Sequence, residues 1–271
     1  MSRINDRFAG LQAKGQTGFI PYITAGDPSL ERTADLVLEL ERRGADIVEL
    51  GVPFSDPLAD GPVNQAGAQR ALAAGTTLAK ILDMVESLRA RTQIPIVLFT
   101  YYNPVHRFGL ERLVARAADA GVDGILALDL PPEEAGDYKR LMDAANLDTI
   151  FLITPTSTDE RIRLITSVTT GFVYYVSRTG VTGEREEMAD TISPMLSKIR
   201  SHTDQPIAVG FGISTPEQSR DIGAFADAVV VGSAIVRRIG EIGDAPELLG
   251  DVGELVGALV RPLKGDANGH R

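Results

Sequence analysis

The sequence has 271 residues, enough for one large α/β domain or two small ones, and with 44% apolar residues it can bury a substantial core. Its net charge of −10 argues against a nucleic-acid face, and the absence of cysteine excludes disulfides, thiolate metal sites and a cysteine nucleophile. No apolar stretch approaches the roughly 18 residues of a membrane span, and the polar start MSRINDRFAGLQAKG lacks the apolar segment of a secretion signal, so a cytoplasmic protein that binds no membrane is expected.

A helical pattern near Phe8–Leu11 leads the chain. Gly18–Thr24 is then the first of eight short runs that are apolar nearly throughout, as parallel strands buried on both faces are. Leu30–Arg43 has helical spacing and stops at Gly44, where a helix end is expected. Ile47–Val52 and Ile94–Phe99 are the second and third strands, followed by a helix over Leu110–Ala120 that stops at Gly121. Gly124–Leu128, Thr149–Ile153, Phe172–Ser177, Ile207–Gly210 and Ala228–Val231 complete the strands, and Leu248–Val260 closes the series as a further helix. This alternation predicts a single eight-stranded parallel (β/α)8 barrel over residues 1–264, with an extra N-terminal helix and a disordered tail over 265–271. The competitor is an open doubly wound sheet; no G-x-G-x-x-G follows the first strand, which weakens its dinucleotide-binding version.

In such a barrel the chemistry sits at the C-terminal ends of the strands. Glu49 lies inside the otherwise apolar second strand, where an unpaired ionised carboxylate costs several kcal/mol. It is either a catalyst or one half of a structural ion pair. The following loop carries Asp56 and Asp60 among three prolines; each is a site candidate or a turn aspartate, and Asp60, just before Gly61-Pro62, has helix capping as its rival role. Tyr174 and Tyr175 must point to opposite sides of their strand, so one can face a ligand while the other packs. Tyr22, Tyr101 and Tyr102 also sit near strand ends, which suggests an aromatic-lined pocket with hydroxyl handles. Gly210-Phe211-Gly212 after the seventh strand and Gly232-Ser233 after the eighth occupy the usual phosphate-binding positions of these barrels. His106, His202 and His270 show no ligand spacing, so no metal site is expected.

The stretches FIPYITAGDP (19–28), ELGVPFSDPLADGP (49–62), YYNP (101–104), DLPPEE (129–134), SRTGVTG (177–183), GFGIS (210–214) and GSAIV (232–236) resemble, in order and spacing, the motifs of the tryptophan synthase alpha chain family, from about residue 4 to 262. The resemblance implies a retro-aldol cleavage of indole-3-glycerol phosphate into indole and glyceraldehyde 3-phosphate, with no cofactor in this chain. It also implies a complex of two alpha and two beta subunits, in which indole passes to a pyridoxal-phosphate beta subunit. Carried over by motif position, Glu49 is the proton shuttle, Asp60 the partner of the indole nitrogen and Tyr174 the third catalytic residue. Tyr22, Tyr101 and Phe211 fall among the substrate-binding positions, Gly183, Gly212, Gly232 and Ser233 hold phosphate, and Thr182 belongs to a mobile loop that closes over Asp60. One departure is Val63-Asn64-Gln65: Asn64 stands where the family usually has an isoleucine-like residue beside the indole pocket. The loop Arg178–Glu187, with two glycines and a run of charges, has the composition of a lid.

The chemistry needs these residue types. A carboxyl group whose pKa is lifted toward neutrality by an apolar site can give a proton to the indole ring and then take one from the adjacent hydroxyl. An ionised carboxylate stabilises the charge that develops on the ring nitrogen. The rival readings are another phosphate-binding barrel enzyme, a non-catalytic regulatory subunit, and a free-standing lyase that releases indole.

Overall fold

The apolar runs form buried strands, and the amphipathic stretches between them form helices. In the computed structural model, which describes residues 2–176, 185–210 and 212–265, the strands are β1 (Gly18–Thr24), β2 (Val48–Gly51), β3 (Ile96–Thr100), β4 (Gly124–Ala127), β5 (Asp148–Ile150), β6 (Leu152–Ile153), β7 (Val173–Val176), β8 (Ile207–Gly210) and β9 (Ala228–Val231). The helices are α1 (Arg3–Ala13), α2 (Leu30–Arg42), α3 (Pro62–Ala73), α4 (Leu78–Leu88), α5 (Tyr102–Phe108), α6 (Leu110–Ala120), α7 (Gly136–Ala144), α8 (Asp159–Val168), α9 (Arg185–Arg200), α10 (Pro216–Gly223), α11 (Ser233–Ile242) and α12 (Leu248–Val260). None of them, among the described residues, is long and apolar enough to cross a membrane.

All pairings are parallel, in the order β5-β4-β3-β2-β1-β9-β8-β7-β6. The two ends of that order, β5 and β6, are consecutive in the chain and separated only by Phe151, so the sheet curls into a nearly closed barrel. The sequence suggests eight strands, and the described residues form nine. The difference lies in the run Thr149–Ile153: its first part pairs with β4, its second with β7, and Phe151 between them packs edge-on to Tyr138 in the outer core, with ring centroids 6.4 Å apart.

Strand alternation divides the core in two. Inside the barrel, Ile20, Val97, Leu126, Ile150, Tyr174 and Val230 meet, and Ile4, Phe8 and Leu11 of α1 plug the N-terminal mouth. Between sheet and helices, Ile23, Leu50, Leu98, Ile125, Tyr175 and Val229 form the larger outer layer. At the N-terminal mouth a recurring device locks neighbouring strands: Asp46, Asp123 and Asp227, each just before a strand, accept the backbone N–H of Phe19, Ile96 and Ile207, all at 2.8 Å. Each carboxylate also has a cation, Lys264 for Asp46, Arg89 and Arg3 for Asp123, and Arg200 for Asp227. The opposite mouth is thereby left free to vary.

There, α3 is pinned by a two-pronged pair. Arg70 donates through Nε to Asp27 Oδ1 at 2.8 Å and through Nη2 to Oδ2 at 2.6 Å, and Asp27 is only 1% exposed. Gly67 lets the helix approach closely: a Cβ there would lie 2.9 Å from both Thr24 Oγ1 and Val236 Cγ1. Breaking the pair would leave a buried carboxylate alone. Arg70→Met is therefore expected to lower the stability by about 3 kcal/mol, read as a lower denaturant midpoint; an unchanged midpoint would show that Asp27 finds other compensation.

Candidate active site

Glu49 enters the barrel from β2 and is completely buried, in register with Tyr22 on β1 and Val97 on β3. Among the described residues neither of its oxygens has a hydrogen-bond partner. Among the described residues no cation pairs with it, so the structural ion-pair role has no support there. Loss of hydration alone pushes its carboxyl up from the ordinary value of 4.5 to about 8. A group with that pKa keeps its proton at neutrality yet can release it, which suits a proton shuttle.

Two tyrosines flank it. Tyr22, 8% exposed, packs edge-on to Phe99 with ring centroids 5.2 Å apart, and Tyr174 is 9% exposed. Burial raises both hydroxyls well above the usual phenol range, with smaller contributions from Asp60 and then Glu49 at Tyr22, and from Glu49 and then Tyr22 at Tyr174. Both therefore stay protonated and act as hydrogen-bonding groups. Their tips fit because glycine stands at the end of the adjoining strand. A Cβ at Gly51 would lie 2.1 Å from the Tyr22 hydroxyl, and one at Gly210 would lie 2.5 Å from that of Tyr174. Tyr175 points outward into the helix layer, as alternation requires.

Asp60 lies at the rim. Its possible role as a helix cap is not taken up: α3 begins after Gly61 with no side-chain cap. Instead the Tyr101 hydroxyl donates to Asp60 Oδ2 at 3.0 Å and itself accepts the N–H of Ala59 at 3.0 Å. Tyr101 thus clips the loop after β2 to the end of β3, helped by Phe54, whose ring lies 5.3 Å from its own. Burial raises the Asp60 carboxyl above its ordinary value, opposed by hydrogen bonds from Tyr101 and Asn64 that favour the charged form. Burial and Asp60 together push the Tyr101 hydroxyl up to about 12.

A cavity of about 560 Å³ opens at this end of the barrel, with walls from Tyr22, Glu49, Phe99 and Tyr174 at one side and Gly212, Gly232, Ser233 and Arg237 at the other. Gly61 to Asn64, at the start of α3, line it between Asp60 and the interior. The two helix starts at the glycine end differ. Thr215 and Gln218 form a reciprocal capping box on α10, whereas α11 begins at Ser233 with no side-chain cap. Uncapped N–H groups beside an arginine suit an anion. Gly212 has φ +65, a conformation that favours glycine.

Of the residues singled out from sequence, Glu49, Tyr22, Tyr174, Gly212, Gly232 and Ser233 share this cavity. Asp60 and Tyr101 are not in its wall but join it at the rim through Gly61 and Asn64. Thr182, Gly183 and Phe211 lie outside the described residues, as does most of the loop Arg178–Glu187. Asp56 is exposed and bonds its neighbour Ser55. Sequence reasoning missed Phe99 and Arg237. Alternation from Val97 would have turned Phe99 inward, and Arg237 follows Ser233 by one helical turn.

Comparison with known proteins converges on one description. The family model described as "Tryptophan synthase alpha chain" matches residues 8–256. The tryptophan synthase alpha chain of Geotalea uraniireducens is 54% identical over 265 residues, covering 97% of this chain and 98% of its own, and that of Geobacter sulfurreducens is 54% identical over 259 residues, covering 96% and 98%. The crystal structure of tryptophan synthase subunit alpha from Legionella pneumophila superposes with a TM-score of 0.89 at 36% identity, covering 97% of this chain and 98% of its own. A chain in a structure of Mycobacterium tuberculosis tryptophan synthase gives 0.88 at 33% identity, covering 98% and 99%.

Proposed function

The chain belongs to the tryptophan synthase alpha chain family, and on that premise we propose that Glu49 and Asp60 divide the chemistry of its reaction between them. That reaction is the cleavage of indole-3-glycerol phosphate into indole and glyceraldehyde 3-phosphate, a carbon–carbon lyase step of tryptophan biosynthesis. The observation that carries the division is the unpartnered, wholly buried Glu49 carboxyl opening on the cavity.

Protonated Glu49 gives its proton to carbon 3 of the indole ring, which leaves positive charge on the ring nitrogen. The carboxylate so formed takes the proton from the hydroxyl of the adjacent side-chain carbon. That oxygen becomes the aldehyde oxygen, the bond to carbon 3 breaks, and its electron pair restores the neutral aromatic ring. Asp60, ionised and held by Tyr101 and Asn64, stabilises the charged nitrogen. Tyr174 and Tyr22 confine the reacting carbon and offer hydroxyl contacts. The phosphate anchors at Gly212, Gly232 and Ser233, a role family position extends to Gly183, and supplies orientation without bond changes. Family position assigns Phe211 and Thr182 to substrate binding as well.

The finer architecture follows the same reading. Counting β5 and β6 as one interrupted strand yields an eight-membered (β/α)8 ring, with residues 1–264 as one domain and 265–271 as a tail. Lys264, at its end, reaches back to Thr17 O at 3.0 Å. We place the chain in the cytoplasm, in a complex of two alpha and two beta subunits, with pyridoxal phosphate in the beta subunit that receives indole. Leu58, 93% exposed in the loop after β2, supplies an apolar contact for that subunit.

Glu49→Gln should bind substrate but lose turnover by several orders of magnitude; near-normal kcat would remove the shuttle role. The wild-type rate should fall as pH rises through about 8, where Glu49 loses its starting proton.

The same variant should gain stability. Between the ordinary value of 4.5 and about 8, the unfolded chain releases a proton that the folded chain retains, so folding weakens as pH rises across that window. Glu49→Gln should match the wild type near the acid end and exceed it above the alkaline end, by an amount on the order of 5 kcal/mol. Parallel stability curves would contradict the burial of an unpartnered acid.

The isolated chain should show weak activity that rises about ten-fold or more with a matching beta subunit, while glycerol phosphate should tighten subunit association. Full activity alone, with association indifferent to glycerol phosphate, would identify a free-standing lyase.

A further inference from the structure

The start of α3 contributes Asn64 to the cavity wall, beside the Asp60 rim. The Asn64 amide favours the charged form of Asp60, and because a carboxylate only accepts hydrogen bonds, the NH2 is the end of the amide that can do so. That fixes the other end of the amide. Asn64 Oδ1 is buried with no hydrogen-bond partner among the described residues. A buried acceptor left unmade is costly, and the space beside this one is the cavity itself.

We propose that Asn64 is a two-handed residue of this site: its NH2 positions Asp60 toward the cavity, and its Oδ1 accepts a hydrogen bond from an N–H or O–H carried by the substrate. An aliphatic side chain at the same position could pack against an aromatic ring but could do neither of these things. The inference rests on the assignment of Asp60 as the carboxylate facing the indole nitrogen, and it adds a residue that selects for a hydrogen-bond donor.

Among the described residues few ionisable groups share this end of the barrel with Asp60, the charged Arg237 of the same cavity wall being one. Tyr101 donates to it from the end of β3, Tyr22 feels its charge from β1, and Glu49 lies along the same cavity on β2. Both tyrosines stay neutral, their hydroxyls raised to about 12 for Tyr101 and higher for Tyr22. Removing the Asn64 donor takes away a bond that favours ionised Asp60 while leaving its burial in place, so the Asp60 pKa must rise.

The test is kcat/KM against pH for the full chain acting on indole-3-glycerol phosphate, comparing wild type, Asn64→Leu and Asp60→Asn. Leu keeps the approximate shape of Asn and removes both polar groups; Asn64→Ala removes them without adding apolar bulk, should Leu disturb folding. In Asn64→Leu the acid limb should move to higher pH by about one unit, and KM should rise about three- to tenfold. Affinity for glycerol phosphate should stay unchanged, which a general distortion of the site would not allow. Asp60→Asn should abolish the acid limb. A limb that survives in Asp60→Asn overturns the Asp60 assignment and the positioning role with it. A limb lost in Asp60→Asn but unmoved in Asn64→Leu overturns the positioning role alone, and an unchanged KM overturns the acceptor role.

Discussion

A carboxyl group without a partner, sealed inside an apolar barrel, is the constraint around which this site is arranged. Among the described residues Glu49 has neither water-like surroundings nor a cation to hold it ionised, and desolvation alone accounts for its raised pKa. Such a group weakens the fold at neutral pH and would be selected against in an ordinary strand. It persists because the rest of the barrel over-determines its position. Ladders on both sides hold β2, and locked aspartates at the N-terminal mouth hold the strands in register.

The neighbours follow from that placement. A neutral carboxyl can share a cavity with two tyrosines, since none of the three carries charge at neutrality. The strand-end glycines Gly51 and Gly210 exist in relation to those tyrosines, whose hydroxyls occupy the space a side chain would fill. Asp60 has the contrasting environment: it is only partly withdrawn from solvent, and it receives hydrogen bonds that stabilise its charge. Burial raises both carboxyl groups, but only Asp60 has neighbours that oppose the shift, so surroundings rather than chemical identity separate the two.

The far end of the cavity uses backbone instead of side-chain chemistry. The chain fills the capping requirement of α10 internally, through Thr215 and Gln218, and leaves that of α11 open where Ser233 and Arg237 line the wall. This asymmetry supports the start of α11 as the proposed anion anchor. Rigidity matters here, because an anchor that fixes one end of a substrate determines where its reacting carbon meets Glu49. The Asp27–Arg70 pair has the same consequence for α3, whose first turn carries Asn64.

How much of this was legible in the sequence depends on the range over which each feature is specified. Apolar runs and glycine stops are local, and they located β1, β8, β9, α6 and α12 residue for residue, because burial on both faces leaves a continuous apolar signature. Glu49 stood out for the same reason, as the one acid in an apolar strand. The break at Phe151 was not legible: the run Thr149–Ile153 is apolar after Thr149, and only closure of the barrel decides that its halves pair with different neighbours. Nor could spacing decide between the two roles open to Asp60. Its fate depends on Tyr101, 41 positions away in the chain, whose hydroxyl reaches it only once β2 and β3 are paired. Sequence determined which residues are costly to bury and which segments repeat, since both are properties of the chain itself. Tertiary structure alone decided which polar atoms found partners and which, in Glu49 and Asn64, were left open to the cavity, because hydrogen-bond satisfaction is a property of contacts between distant segments.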